Sequence, residues 1–488
     1  MRDDEIRRRL QDQNPWWRSA VTGLDPTSWT TQDPVLRRRS RWDLGYRASL
    51  LGDVGTQPLD DRLIVLRGPR RVGKSVLLKD LAAQLCSRDD VNPMQVVSMA
   101  VDGMRKQDMQ RAIRLATELT RSVGNVRRTW LLDEVTAIRG WTQSLKYLRD
   151  NTAFGDDTVV CTGSSWQDDA DVERDLLAGR AGTGSSRRER LLLPMSFRDY
   201  VLTTGRELPL PEPCLPCELQ SDDVAQAAAA LELFTDELDL AWQSYLSCGG
   251  FPRAVAQHHR DGAVSQAFIS DLGAWLHRDV DADAPADSVP LLLWELHRRS
   301  TAPLNVTSTA EDLNYGSRTA FSRRLARLSH SYAGLGCHQV DDDGRRVAGA
   351  ISKFYLTDPL LAWLGSRLRS GVPDPDMTQL SENAVGVALA RAIDNADPGR
   401  WTADDSIGYA KTGSNNEVDL APVPVPTPAG PRPSTPVESK WVSKGWRKEA
   451  RTIEGKYHAG LLATKSLIDT SNPSWAIPAP LVALLLHG

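Results

Sequence analysis

The sequence lacks the features of a membrane or secreted protein. No apolar run approaches the roughly 20 residues that a membrane-spanning helix needs, and the N-terminal stretch MRDDEIRRRLQDQNPWW has no apolar leader segment. The six cysteines are scattered through the 488 residues, which is typical of proteins in a reducing compartment. These absences predict a cytoplasmic protein with no membrane partner.

The sequence also indicates neither a cysteine-bound metal nor a general attraction to nucleic acid. Cys214 and Cys217 form one CxxC in a proline-rich stretch, but a zinc site needs a second pair of ligands nearby, and the sequence shows none. The formal net charge is −4. Any contact with nucleic acid must therefore come from a local basic face.

One short stretch has a strong chemical signature. Residues 68–75 read GPRRVGKS, which fits the pattern GxxxxGK[ST], between a strand-like RLIVL and an amphipathic helical pattern. Glycines let backbone N–H groups close on phosphates, and the helix N-terminus adds positive potential. Lys74 is predicted to meet the β- and γ-phosphates and Ser75 to bind Mg²⁺. The predicted nucleotide-binding residues are Gly68, Pro69, Arg70, Arg71, Val72, Gly73, Lys74, Ser75 and Ser164.

The carboxylates that such a site needs follow in TWLLDE, residues 129–134, which we expect on a strand next to the one that precedes the loop. Asp133 would hold Mg²⁺ through water, and Glu134 would polarise an attacking water. The alternative is that Glu134 caps the next turn. Thr162 or Ser164, at the end of the following strand, would sense the γ-phosphate. The predicted cofactors are ATP and Mg²⁺, and a carboxylate at this place implies hydrolysis.

Three arginines are candidates for reporting on the γ-phosphate. Arg70 and Arg71 lie in the loop itself, and Arg180 lies in the glycine-rich stretch AGRAGTGSSRR, after what we take as the last strand of the core. A surface charge explains Arg180 equally well.

These motifs resemble those of prokaryotic AAA-type ATPases whose C-terminal half carries a domain related to restriction endonucleases. The resemblance implies an α/β chain with a RecA-like parallel P-loop sheet, a helical lid, a winged helix and a C-terminal restriction-endonuclease-like α/β domain. With the pattern along the chain, it gives an N-terminal helical arm at 1–60, an ATPase core at 61–195, a lid at 196–287, a winged helix-turn-helix at 288–361 and the nuclease-like domain at 376–488. The matching stretches are GPRRVGKSVLL, WLLDEVTAIRGWTQSLKYLRD, CTGSS, AGR with LLLPMSFRDY, YLSCGGFPRAV, KFYLTDPLL, LSENAVGVALA, and NNEVDLAPV with VESKW.

A helix-turn-helix pattern occurs in TSTAEDLNYGSRTAFSRRLARLSHSYAGL. Ser308 and Glu311 have the spacing of a capping box, Gly316 permits the turn, and Ser317 can cap the second helix. Basic side chains outside the apolar stripe of that helix predict contact with DNA phosphates. The alternative is an adaptor between domains with solvated arginines. The basic residues are Arg318, Arg323, Arg324 and Arg327.

A second candidate site lies near the C-terminus. In VESKW, residues two apart share a face of a strand, so Glu438 and Lys440 point the same way. A carboxylate that holds a cation beside a lysine that steadies the attacking water suits metal-dependent phosphodiester cleavage. Asp419 offers a second metal-binding carboxylate, and the restriction-endonuclease-like pattern adds Glu382. The proline-rich insertion APVPVPTPAGPRPSTP, which follows Asp419, should be an exposed loop.

The sequence therefore predicts an ATP-binding and ATP-hydrolysing AAA-type switch or motor that acts on DNA through a winged helix and a nuclease-like domain. The alternative is a nucleotide-gated regulatory or scaffold protein whose C-terminal domain binds partners without cleaving nucleic acid. Homo-oligomerisation stays open, because a ring would need an arginine supplied in trans. The predicted catalytic residues are Lys74, Asp133, Glu134, Arg180, Glu382, Asp419, Glu438 and Lys440.

Overall fold

A computed structural model describes residues 1–124, 126–165, 188–413, 416–471 and 473–486. The chain divides into two compact units, Met1–Leu193 and Pro194–Gly488. The helices predicted as a lid, at 196–287, thus belong to the second unit together with the C-terminal sheet. Each unit is described by itself.

The first unit contains a five-stranded sheet within the described residues, in the order β2-β3-β4-β1-β5, and all its neighbouring pairs are parallel. The near-continuous apolar sequences of its first four strands suit a sheet that is covered on both faces. The prediction ended the core with β4 and missed β5, which has only three residues. The strands are β1 (Arg62–Arg67), β2 (Val96–Ala100), β3 (Thr129–Asp133), β4 (Thr158–Gly163) and β5 (Glu189–Leu191). The helices that follow the strands are Lys74–Cys86, Lys106–Leu119 and Trp141–Asn151.

The N-terminal arm covers the edge of this sheet at β2. The Asn14 side chain accepts from the Ser98 N–H at 2.6 Å and donates to the Ser98 carbonyl at 2.8 Å. The indoles of Trp16 and Trp17 both donate to the Val96 carbonyl. These bonds pair backbone groups that an edge strand would otherwise leave open to another chain. The arm consists of the helices Asp3–Gln13, Trp16–Thr22, Pro34–Ser40 and Gly52–Thr56 and the 3₁₀ turn Ser28–Thr31.

The second unit begins with helices and ends in a mixed sheet of seven strands, counted over the described residues, in the order β14-β13-β12-β9-β8-β6-β7. The strands of the unit are β6 (Gly334–Gln339), β7 (Lys353–Leu356), β8 (Gly408–Lys411), β9 (Glu417–Ala421), β10 (Pro424–Val425), β11 (Arg432–Pro433), β12 (Val437–Ser439), β13 (Gly460–Thr464) and β14 (Ser474–Pro478). Its helices are Phe197–Thr203, Asp222–Leu231, Thr235–Cys248, Pro252–Asp261, Gln266–Val280, Ser288–Arg298, Val306–Asp312, Arg318–His330, Pro359–Leu368, Met377–Ala396, Trp446–Glu449, Arg451–Tyr457 and Ala479–Leu485.

The predicted wing is part of this sheet. Strands β6 and β7 form the expected antiparallel pair, but β6 also pairs in parallel with β8. The sheet therefore crosses the predicted boundary between 361 and 376. The proline-rich insertion forms the separate two-residue pair β10–β11. It is not the fully exposed loop that we predicted, because the side chains of Val423, Val425 and Ser434 are buried.

The caps of the helix-turn-helix differ from the prediction in two places. The first helix is capped by Asn305, whose side chain accepts from the N–H groups of Thr307 and Ser308, so Ser308 lies inside the helix and is not its cap. The turn uses Asn314, with φ +55°, as its left-handed residue, and not Gly316. Ser317 caps the second helix as predicted. Asn314 replaces glycine here because asparagine tolerates this backbone conformation better than most side chains do.

Candidate functional site

The loop between β1 and the helix Lys74–Cys86 has the backbone of a phosphate-binding turn. Gly68, Arg71 and Gly73 have φ values of +146°, +72° and +105°. A Cβ atom on Gly68 would lie 1.9 Å from the carbonyl oxygen of Leu192, so this position requires glycine. A turn with alternating left-handed residues presents successive N–H groups to an anion, and here it leads into a 13-residue helix.

Lys74 and Ser75 lie in the first turn of that helix. The buried Lys74 ammonium donates to the carbonyl oxygens of Gly68 and Pro69, both at 2.8 Å, so its positive charge is held against the loop. A lysine, a hydroxyl and converging N–H groups form the donor set that a Mg²⁺–nucleoside triphosphate requires. The residues present therefore fit this cofactor.

We predicted that the carboxylates of β3 lie on the strand next to β1. This is wrong, because β4 lies between the two strands. That order gives β4 a direct role. The Thr162 hydroxyl lies 2.5 Å from Asp133 Oδ1 and accepts the Glu134 N–H at 2.9 Å. The Ser164 hydroxyl donates to Glu134 Oε1 at 2.5 Å. The two hydroxyls that were predicted to sense phosphate thus contact the two carboxylates predicted to bind Mg²⁺ and water.

Glu134 has a left-handed backbone, with φ +63°. It precedes the 3₁₀ turn Val135–Ala137, but its side chain makes no capping hydrogen bond there, which argues against the alternative that it serves as a cap. Arg70 Nη1 of the phosphate loop lies 3.5 Å from Glu134 Oε1. An acid held by a serine and an arginine at the edge of the loop is placed to orient a water molecule.

The three candidate arginines have different outcomes. Arg70 contacts Glu134, and Arg71 contributes a left-handed residue to the loop. Arg180 lies outside the residues that the structure describes. Its proposed role in reporting on the γ-phosphate therefore stays a prediction.

These features define a P-loop nucleotide-binding domain. Residues 60–201 match the family model of an AAA domain. This part of the chain is accordingly an AAA-type P-loop ATPase domain, a class that binds nucleotide, typically with Mg²⁺.

Two solved structures are similar over much of their own length. A Walker-type ATPase of Pyrococcus abyssi shares 16% identity, with 65% of this chain and 95% of that chain covered and a TM-score of 0.36. A DNA polymerase III gamma subunit-related protein from Thermotoga maritima shares 12% identity, with 58% and 99% covered and a TM-score of 0.24. Scores this low carry no argument about function. Comparison with curated proteins finds no match.

The predicted basic face of the helix Arg318–His330 divides into two pairs of arginines. Arg318 and Arg323 are exposed. Arg324 forms an ion pair with the buried Asp281 at 2.6 Å and lies 4.1 Å from the centre of the Tyr315 ring, and Arg327 donates to the Val280 carbonyl at 3.0 Å. The helix itself contains no acidic residue among these arginines. Asp281, however, comes from a preceding segment and pairs with Arg324.

The four residues predicted at the C-terminal site lie in one network. Lys440 Nζ lies 2.9 Å from Glu438 Oε1 and 3.5 Å from Asp419 Oδ2. The Asp419 N–H donates to Glu438 Oε2 at 3.3 Å. Strand β12 pairs antiparallel with β9, which brings the two acids together. Glu382 joins them from the helix Met377–Ala396, through a residue that we did not predict.

That residue is Lys353 of β7, which lies within the winged helix-turn-helix predicted at 288–361. Its fully buried ammonium lies 2.6 Å from Glu417 Oε1, 3.1 Å from Asp419 Oδ1 and 3.4 Å from Glu382 Oε1. The Tyr355 hydroxyl donates to Glu382 Oε1 at 3.1 Å. Only the alternation of Lys353 and Tyr355 along β7 hinted at a shared face. We call the set of Glu382, Glu417, Asp419, Glu438, Lys353, Lys440 and Tyr355 the acid–lysine cluster.

Burial changes the ionisation of this cluster. Burial first, and the nearby Asp419 charge second, raise the pKa of Glu382 and of Glu438 to about 7. Burial alone would lower the pKa of Lys353, but Tyr355 and the surrounding carboxylates raise it well above its ordinary value. Lys353 thus stays positively charged at neutral pH, and the two glutamates titrate near that pH.

The described residues contain no group of three or more His, Cys, Asp or Glu side chains that is arranged to hold a metal ion. Within the same ranges, no helix is long and apolar enough to cross a membrane.

Proposed function

We propose that the protein is an ATP-hydrolysing molecular switch that acts on DNA. The observation that supports hydrolysis is the contact of Glu134 with both Ser164 and Arg70, which holds a carboxylate beside the phosphate loop in an orientation suited to activating water. ATP would bind through the loop residues 68–75, with Mg²⁺ held by Ser75 and Asp133.

The first test is phosphate release from MgATP by the full chain. We expect turnover that stops when EDTA removes Mg²⁺, because the metal, held by Ser75 and Asp133, would neutralise the negative charge on the phosphates. Adding double-stranded DNA should change the turnover rate. Turnover that DNA leaves unchanged, together with DNA binding that ATP leaves unchanged, would reject the switch while leaving the ATPase intact.

The proposed DNA contact rests on Arg318 and Arg323. Both side chains are exposed on one helix, and the N-terminus of that helix adds a further positive potential. Arg324 and Arg327 are engaged within the unit and would instead hold the helix in place. Of the four arginines predicted to contact DNA, only Arg318 and Arg323 are therefore proposed to do so.

Replacing Arg318 and Arg323 together with alanine should weaken binding to DNA of any sequence. Log affinity falls with log salt concentration, and each phosphate contact that is removed makes this slope less steep by about 1. The slope of the double variant should therefore be less steep by about 2. Fluorescence anisotropy with labelled duplex at several salt concentrations measures it. The control is Arg278→Ala, an exposed arginine on another helix, which should leave the slope unchanged. An unaltered slope in the double variant would contradict the contact.

The alternative function is a nucleotide-gated regulatory or scaffold protein that cleaves nothing. One observation favours the non-cleaving part of it: the Lys353 ammonium lies among Glu382, Glu417 and Asp419. Under either function, nucleotide binding to the ATPase domain controls the protein. The two functions differ in what the second unit does.

A further inference from the structure

The acid–lysine cluster has a buried ammonium group among three carboxylates, one of which belongs to the predicted metal ligand Asp419. Three carboxylate oxygens, one each from Glu382, Glu417 and Asp419, approach Lys353 Nζ within 3.4 Å. Convergence of several carboxylate oxygens on one point is the usual arrangement around Mg²⁺ or Mn²⁺. In this chain a buried side chain fills that point.

The remaining oxygens of the two predicted metal ligands are also engaged. Asp419 Oδ2 accepts the Ser439 N–H at 3.1 Å and lies near Lys440. Glu438 contacts Lys440 through Oε1 and the Asp419 N–H through Oε2. Two ammonium groups and two backbone N–H groups therefore satisfy the carboxylates that would have bound the metal. The residues present do not fit a divalent cation.

We propose that Lys353 is a built-in counter-ion that takes the place of the metal, and that the acid–lysine cluster is a closed charge network rather than a nuclease centre. The network joins β7, β9 and β12 to the helix Met377–Ala396. Because the ammonium is part of the chain, the network forms without any bound ion. This inference does not rest on the ATPase function proposed above.

The proposal predicts what removal of the ammonium should do. Lys353→Met keeps a long unbranched side chain but leaves three carboxylates, those of Glu382 and Asp419 buried and that of Glu417 partly buried, facing one another without their cation. Mutual repulsion would destabilise the second unit, and a divalent cation would relieve that repulsion. The variant should therefore gain a metal site that the unmodified chain lacks.

The test uses nucleotide-free full chain and Mn²⁺ alone, with free Mn²⁺ measured by electron paramagnetic resonance. The unmodified protein should bind no Mn²⁺ in a manner that depends on Asp419. Lys353→Met should bind one equivalent, which adding Asp419→Asn should abolish. Mn²⁺ should also raise the melting temperature of Lys353→Met by several degrees and leave that of the unmodified chain unchanged.

Two results of the Mn²⁺ titrations would overturn the proposal. One is a Mn²⁺ equivalent bound by the unmodified protein and lost in Asp419→Asn. The other is a folded Lys353→Met protein, as judged by circular dichroism, that gains no site. If Lys353→Met fails to fold even with Mn²⁺, the titration of the unmodified protein decides the question. Mn²⁺ binding that depends on Asp419 would overturn the proposal. The absence of such binding would support it. DNA cleavage that requires both Glu438 and Lys440 would also overturn it.

Discussion

Glu134→Gln is expected to lower MgATP turnover by about 10²- to 10⁴-fold, the usual contribution of a positioned general base. The amide keeps the shape of the side chain and can still accept from the Ser164 hydroxyl, so the end of β4 should keep its arrangement. It cannot take a proton from water, and it loses the charge that faces Arg70. Nucleotide binding should persist, because the phosphates are held by the loop and Lys74.

Two variants make that result specific, measured as steady-state phosphate release and, separately, as binding of labelled ATP. Lys74→Ala should lose both turnover and affinity, because it removes the positive charge that meets the phosphates. Glu118→Gln, at an exposed glutamate of the same unit, should change neither. Turnover near the unmodified rate in Glu134→Gln would show that another group activates the water.

The phosphate loop was predictable because its chemistry is written in adjacent residues. Eight consecutive positions carry the glycines, the lysine and the hydroxyl, and the backbone adopts the left-handed angles that this spacing requires. The contacts of Glu134 were not predictable in the same way. Ser164 is 30 residues away, and the two meet only because β3 and β4 pair directly.

The acid–lysine cluster could be predicted only in part, for a different reason. Strand alternation placed Glu438 and Lys440 on one face, Asp419 was predicted as a second carboxylate beside them, and the family resemblance added Glu382. Lys353 was missed because the segment around it has the pattern of a local hairpin. Nothing in that segment indicates that β6 also pairs with β8 and so extends the hairpin into a sheet whose interior contains the acids.

Asp358 connects two of the stretches that carry the family resemblance, YLSCGGFPRAV and KFYLTDPLL. Its buried carboxylate accepts the Gly250 N–H at 2.7 Å and the Leu360 N–H at 2.9 Å, and the latter bond caps the helix Pro359–Leu368. A Cβ atom on Gly249 would lie 2.0 Å from Asp358 Oδ1. Gly249 therefore lets the chain pass close to the carboxylate of Asp358, which explains why the first stretch has glycine at this position.

Asp358→Ala should lower the free energy of unfolding of the second unit by roughly 3 kcal/mol. Loss of the helix cap costs about 1 kcal/mol, and a buried Gly250 N–H without a partner costs about 1–3 kcal/mol more. Urea denaturation followed by tryptophan fluorescence measures the loss. Burial raises the pKa of Asp358 from 3.8 to about 6, so the folded unit binds this proton more tightly than the unfolded chain does. The contribution of the carboxyl to stability therefore declines as the pH rises from about 4 to about 6 and is constant above that range.

The matched control is Asp376→Ala, measured at the same pH above 7. Asp376 caps the helix Met377–Ala396 by accepting from the N–H groups of Thr378 and Gln379, but its side chain is exposed. Its loss should cost only the cap, about 1 kcal/mol, because water can satisfy the N–H groups that it leaves. The difference between the two variants therefore measures the buried bond to Gly250. Equal losses would mean that this bond adds nothing to the stability of the second unit.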